Sequence, residues 1–285
     1  MSATAIAETG SYVLDFDDNR AWGPELTGVL GGLLTDGALD RLAAAAPQFV
    51  EDARDLLLSC ADRGRIVDAT LSWIRSTSVA GYHGTRLNPC EAESIRARGL
   101  LPLKADARRI RLRRALSSHP EWGRVAHRLD AALRDYGPGE RAGRREGQVH
   151  LTLSRCGLVN GFNHYLTHGS EFDQRVAHEL LGADGVELLG KDGQATVIRV
   201  AVPGDVALDA ANRHWTVDER LVRGEVPNLV DELLKVWSFE LAHPDLRCET
   251  LRTDCGMAYR SAIPPAWIIG IDTVGPVQRQ AEGRA

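Results

Sequence analysis

The spacing of apolar residues predicts helices over the first part of the chain and a mixture of strands and helices beyond about residue 76. Leu26, Val29, Leu30, Leu33 and Leu34 recur at i, i+3, i+4, i+7 and i+8, which gathers them on one helix face. Asp36 or Asp40 would start a second helix with Leu39, Leu42 and Ala43 turned inward. A third is predicted over Glu51 to Cys60 and a fourth over Asp68 to Ile74. The period then changes. Ser78 to Thr85 reads as a short strand ending in a glycine turn, and Cys90 to Arg98 as a helix stopped by Gly99. Residues 104–136 read as basic helix, broken at Tyr136-Gly-Pro-Gly-Glu140. Val149 to Leu153 alternates as a strand, Leu158 to His168 and Glu171 to Leu181 read as helices, and Gln194 to Val202 as a strong strand. Val226 to Leu241 is predicted helical, and the last strands are Met257 to Ile263 and Trp267 to Val274. Strands and helices mix without a regular βαβ period, so the expected class is α+β. This divides the chain into a helical accessory region at 1–76, a main domain at 77–276 with a basic helical insertion at 104–145, and a tail at 277–285 expected to be disordered.

Composition narrows the class. The 285 residues are 44% hydrophobic and 26% charged, the balance of a globular chain rather than a disordered one. No apolar run reaches the roughly 18 residues of a membrane span. No basic patch and apolar core follow Met1, so a cytoplasmic location without membrane partner is expected. Five scattered cysteines without a C-x-x-C pair predict reduced thiols and no metal site. The net charge of −5 conceals an uneven distribution: Arg96 to Arg145 carries +9, leaving −14 on the rest. That segment (96–145) is expected either to face an anionic partner or to form a solvated helical face. Phosphate-binding P-loops, a Rossmann fingerprint and a Gly-x-Ser-x-Gly elbow are missing from the sequence.

Candidate chemistry concentrates in four places. Tyr82-His83-Gly84-Thr85 puts an imidazole beside a glycine at a strand end. The imidazole can donate to a ribose hydroxyl, and the glycine backbone can hold a planar carboxamide. Tyr165 follows the predicted strand at Val149 to Leu153 and offers a flat ring for stacking, with Phe162 as a competitor and a core role as the plain alternative. Glu171 follows Gly169-Ser170 at a predicted helix start, where a carboxylate is favoured by the helix dipole with or without a catalytic role. Ile263-Pro264-Pro265-Ala266-Trp267-Ile268 closes the pattern, with Asp254 as the nearest upstream carboxylate and Glu249 and Glu240 further back.

These motifs together resemble the ADP-ribosyltransferase superfamily, in its diphtheria-toxin/poly-ADP-ribose-polymerase-like branch, over roughly residues 78–275. The resemblance implies a split β-sandwich catalytic core and a toxin-like, NAD-dependent mono-ADP-ribosyltransferase, with NAD as co-substrate, no metal, and an unidentified acceptor that is protein, nucleic acid or small molecule. By the same resemblance Tyr82, His83, Gly84, Thr85 and Tyr165 hold NAD: His83 on the adenosine ribose, Gly84 on the nicotinamide amide, Tyr165 on the nicotinamide ring. His83, Tyr165, Glu171 and Asp254 are the expected catalytic set. The family usually has a glutamate a few residues before its Ile-Pro-Pro segment; Asp254-Cys255-Gly256-Met257-Ala258-Tyr259-Arg260 has none. An RNA 2′-phosphotransferase, an NAD glycohydrolase and a non-catalytic module that binds NAD, ADP-ribose or a partner are the alternatives on the same scaffold.

Overall fold

Trp22, Leu26 and Leu30, four residues apart, form the buried stripe of helix α1 (Asn19–Leu30). The α-helix stops there, and Gly31–Leu33 tighten into a 3-10 turn. Three residues per turn instead of 3.6 break the predicted stripe before Leu33 and Leu34, and Val29 is left exposed. The computed structural model describes residues 12–135, 147–161, 163–212, 214–245 and 255–275. The predicted tail at 277–285 lies outside them.

Two compact units emerge, one drawn from 1–81 and 201–257, the other from 82–200 and 258–285. The chain crosses between them within strands rather than at a linker, and residues after 200 join the N-terminal helices in the first unit.

In the first unit α1 is followed by α2 (Ala38–Ala45), α3 (Val50–Ser59) and α4 (Arg63–Arg75). Helix α2 buries Ala38 and Leu42, while Leu39 and Ala43, expected inward, are exposed. Helix α4 begins five residues before the predicted Asp68, because the Asp62 side chain accepts a hydrogen bond from the Arg65 amide and caps it there. From the later segment come α12 (Gly204–Ala211), α13 (Val217–Val222) and α14 (Asn228–Ala242). Leu229, Val230, Leu233, Leu234, Val236, Trp237 and Phe239 are buried along α14. A helix apolar on so many sides must be enclosed, and α14 packs against α1, α2, α3, α4 and α12. Its Trp237 Nε1 donates to Thr27 Oγ1 at 3.0 Å, which lets the indole sit inside without an unpaired N–H.

An open six-stranded sheet gives the α+β class. Its order is β5 (Gly256–Tyr259), β3 (Val149–Thr152), β2 (Ser78–Leu87), β4 (Gln194–Pro203), β6 (Ile268–Thr273). A short β1 (Val13–Leu14) pairs with the start of β2 in parallel. Strands β2 and β3 run antiparallel with Tyr82 opposite Thr152, and β4 and β6 antiparallel with a bulge between Arg199 and Val200.

The helices of the second unit depart from expectation in length. Helix α5 (Pro89–Arg98) begins with a capping box of Asn88 and Glu91 and stops at Gly99 as predicted. The basic stretch is broken into α6 (Ala105–Leu116), α7 (Trp122–Val125) and α8 (Leu129–Asp135). The segment expected as one helix to His168 is two, α9 (Arg155–Asn160) and α10 (His164–His168). Helix α11 (Glu171–Lys191) continues ten residues past the predicted end, with Gly182 off helical geometry. Leu112, Leu116, Leu129, Leu133, Val176, Leu180 and Leu189 form a core shared by α6, α8 and α11. The basic insertion is therefore packed inward on one side and is not wholly a solvated face.

Candidate functional site

Alternation along β2 sets the first constraint. Side chains of successive strand residues point to opposite faces, so His83 and Thr85 share one face and Tyr82 and Gly84 the other. Tyr82 is buried, while His83, Gly84 and Thr85 are half-buried. Gly84 packs against Leu158 of α9, where an added Cβ would lie 2.8 Å from a Leu158 methyl. Helix α9 is set in place by Ser154, whose hydroxyl accepts from the Gly157 amide at 2.8 Å.

The His83 ring is fixed by the neighbouring strand. Its Nδ1 lies 2.8 Å from the backbone carbonyl of His150 on β3. A carbonyl only accepts, so Nδ1 carries the proton and Nε2 of the neutral ring carries the lone pair. Burial holds the imidazole below its ordinary pKa, and the nearby Arg111 guanidinium adds to this against the opposing hydrogen bond to His150. The neutral ring therefore leaves Nε2 as a hydrogen-bond acceptor. This reverses the sequence expectation of an imidazole donating to a hydroxyl.

Two arginines join the pieces that lie far apart in sequence. Arg86, at the end of β2, donates through Nη1 to the Leu166 carbonyl at 2.9 Å and through Nη2 to the Gly193 carbonyl at 2.5 Å. Its Nε reaches the Asp192 carbonyl at 3.3 Å. These bonds tie α10, and with it Tyr165, to the strand that carries His83. Arg111 of α6 donates through Nη2 to the Arg86 carbonyl at 3.2 Å. The same Nη2 lies against Gly169, in the turn between Tyr165 and Glu171.

Tyr165 is half-buried on α10, its ring 4.0 Å from that of His164 and tilted by 39°. Glu171 is the first residue of α11, directly after its cap Ser170, and is also half-buried. Asp254 lies outside the described residues, as do Phe162 and Glu249. Glu240 lies on α14, in the first unit.

The last motif meets the first. Leu100, just after Gly99, exchanges backbone hydrogen bonds with Ile263, at 3.1 Å from its own amide and 2.9 Å from that of Ile263. Pro265–Trp267 then make a 3-10 turn into β6. A cleft of about 420 Å³ opens beside Arg86, lined also by Thr167, His168, Lys191, Gln194 and Thr273. His83 and Tyr165 do not line it.

The sequence reading missed Arg86 and placed Arg108 in a segment expected to face either an anionic partner or solvent, neither of which holds for it. Arg108 is buried and pairs with buried Asp173 of α11 at 2.7 Å. A signal for this exists: Arg108, Leu112, Ala115 and Leu116 fall on one helical stripe, and an arginine within an apolar stripe requires a buried acid. Other charges of the basic segment are also paired inside the second unit, Arg109 with Asp106 and Asp130, and Arg114 with Glu91 and Asp192.

No protein-family model, curated protein or solved structure matches the chain.

Proposed function

We propose that the chain is an NAD-dependent mono-ADP-ribosyltransferase of the diphtheria-toxin/poly-ADP-ribose-polymerase-like type. The observation that carries this is the meeting, within one unit, of the Tyr82–Thr85 strand with its Gly99-Leu100 turn bonded to Ile263 of the Ile-Pro-Pro segment. Those motifs are 163 positions apart between Leu100 and Ile263, and the fold pairs their backbones.

In this assignment His83 Nε2 accepts a hydrogen bond from a ribose hydroxyl, its lone pair left free by the bond from Nδ1 to the His150 carbonyl. The Gly84 backbone holds the nicotinamide carboxamide, and Tyr165 stacks on the ring. Cleavage breaks the bond between C1′ of the ribose and the nicotinamide nitrogen. The bonding pair leaves with nicotinamide, which departs neutral, and the ribose becomes cationic. The acceptor's nucleophile forms the new bond to C1′ and gives up its proton. Glu171 is the carboxylate that stabilises the developing positive charge, with Asp254 as the other candidate.

The absence of glutamate from residues 255–262 supports a second reading, a module that binds NAD or ADP-ribose without turning it over. Nicotinamide release from NAD by the purified chain separates the two. Release that His83→Ala abolishes is the expected result. Binding of NAD without release by the wild-type chain supports the binding module, and neither binding nor release overturns both.

A further inference from the structure

We propose that Arg86 is a positioning residue that fixes Tyr165 against the Gly84 backbone, the two groups between which nicotinamide is held. The inference rests on the function proposed above and names the residue that shapes its nicotinamide half. Arg86 stands two positions after Gly84 on β2, so strand alternation places both on one face of the sheet. From that face Gly84 meets Leu158 of α9, and Arg86 meets α10. Arg86 Nη1 donates to the Leu166 carbonyl at 2.9 Å, and Leu166 is the next residue after Tyr165. The link from the Gly84 backbone to Tyr165 therefore runs along two positions of β2, through one guanidinium and across one peptide unit.

Helix α10 needs such a link. It has five residues, of which Leu166 alone is buried, and a helix that short takes its place from what holds it. Packing on α11 and burial of Leu166 hold it down, but apolar contact is non-directional. The guanidinium is directional. Its Nη1 also reaches the Thr167 carbonyl, at 3.5 Å, in the last turn of α10. Its Nε and Nη2 reach the Asp192 and Gly193 carbonyls just past the end of α11, at 3.3 and 2.5 Å. Cations are favoured at helix C-termini, and here one planar fork serves two of them. A second strut supports the first: Arg111 Nη2 donates to the Arg86 carbonyl at 3.2 Å and lies against Gly169, the residue that ends α10. Arg86, Leu166, Thr167 and Gly193 also line the cleft of about 420 Å³. Water from that cleft can hydrate the carbonyls once the guanidinium is removed, so the loss is one of alignment and not of stranded acceptors.

The test is calorimetric titration of two ligands into the wild-type chain, Arg86→Met and Arg86→Lys. One is carba-NAD, whose carbocycle in place of the nicotinamide ribose prevents turnover, and the other is ADP-ribose, which lacks nicotinamide. Arg86→Lys keeps the aliphatic stem and the charge, and so serves where Arg86→Met fails to fold, but its ammonium cannot span both carbonyl sets. Each variant is expected to bind carba-NAD about tenfold more weakly, the loss of charge-assisted hydrogen bonds, with ADP-ribose affinity unchanged. A general structural defect would weaken both ligands together, so an equal loss for both overturns the positioning role. An affinity ratio equal to that of the wild type overturns it too and leaves the proposed function standing. A wild-type chain that binds neither ligand overturns the function and the positioning role with it. A second measurement needs no ligand. The Gly169 amide bonds to the Tyr165 carbonyl at 3.1 Å, and its hydrogen-exchange protection is expected to be lost in Arg86→Lys. Protection equal to that of the wild type overturns the role of Arg86 in holding α10.

Discussion

Gly99 and Ile263 approach so closely that a Cβ on Gly99 would stand 1.9 Å from the Ile263 carbonyl oxygen. That oxygen accepts the Leu100 amide, so the contact is the seam where the early and late motifs join. Gly99 also has φ +79° and ψ −173°, a region essentially restricted to glycine.

Gly99→Ala is therefore expected to destabilise the protein by about 2 kcal/mol or more, from backbone strain and overpacking together. Urea denaturation checks this through a lower midpoint at an unchanged slope. Stability equal to wild type would mean that the seam between Leu100 and Ile263 is not formed in solution.

The buried pair of Arg108 and Asp173 makes a second prediction. Both side chains are nearly inaccessible, so removing one partner strands a charge. Asp173→Asn should cost about 3–5 kcal/mol, whereas Arg108→Met combined with Asp173→Leu should recover most of that loss. A double-mutant cycle in urea reads the coupling directly. Additive single costs would show the two charges to be independently solvated.

What the sequence revealed and concealed follows from the range of the interactions. Helix stops and strand periods depend on neighbours, so Gly99 ending α5 and the strands at Val149 and Gln194 were legible. The strand at Tyr82–Thr85 was legible from its alternation, but the glycine turn expected at its end is not formed: β2 runs on through Gly84 and Thr85 to Leu87. The partner of Arg108 lies 65 positions away and the carbonyls bound by Arg86 lie 80 to 107 away, beyond any periodicity. The acceptor character of His83 Nε2 depends on a carbonyl of another strand, 67 positions downstream. Residue type gave the imidazole, and only the strand pairing gave its polarity.

Gly84 allows stability and chemistry to be separated. An added methyl would press on the buried Leu158 side chain, which can yield only in part and leaves the strand to take up the rest, so Gly84→Ala should cost about 1–2 kcal/mol. If the Gly84 backbone holds the nicotinamide amide, release of nicotinamide should nevertheless fall sharply, because the methyl displaces the strand from Leu158. Leu158→Ala in the same chain should relieve the crowding and restore the activity. Nicotinamide release by Gly84→Ala at the wild-type rate would remove Gly84 from the site.

The depressed pKa of His83 fixes the sign of a pH effect. Above the ordinary histidine value of 6.5 the ring is neutral in both folded and unfolded chains and contributes no pH dependence. As the pH falls below 6.5 the unfolded chain takes up a proton that the folded ring resists, so stability drops towards the lowered folded pKa. His83→Asn removes the titration while its side-chain amide can still donate to the His150 carbonyl. The difference in Tm between pH 7.5 and pH 5 should thus be smaller in His83→Asn than in the wild type. A loss of stability on acidification that is the same in both proteins would show that the ring is solvated and protonates freely. The neutral acceptor at Nε2, on which the ribose contact depends, would then not persist at mildly acidic pH.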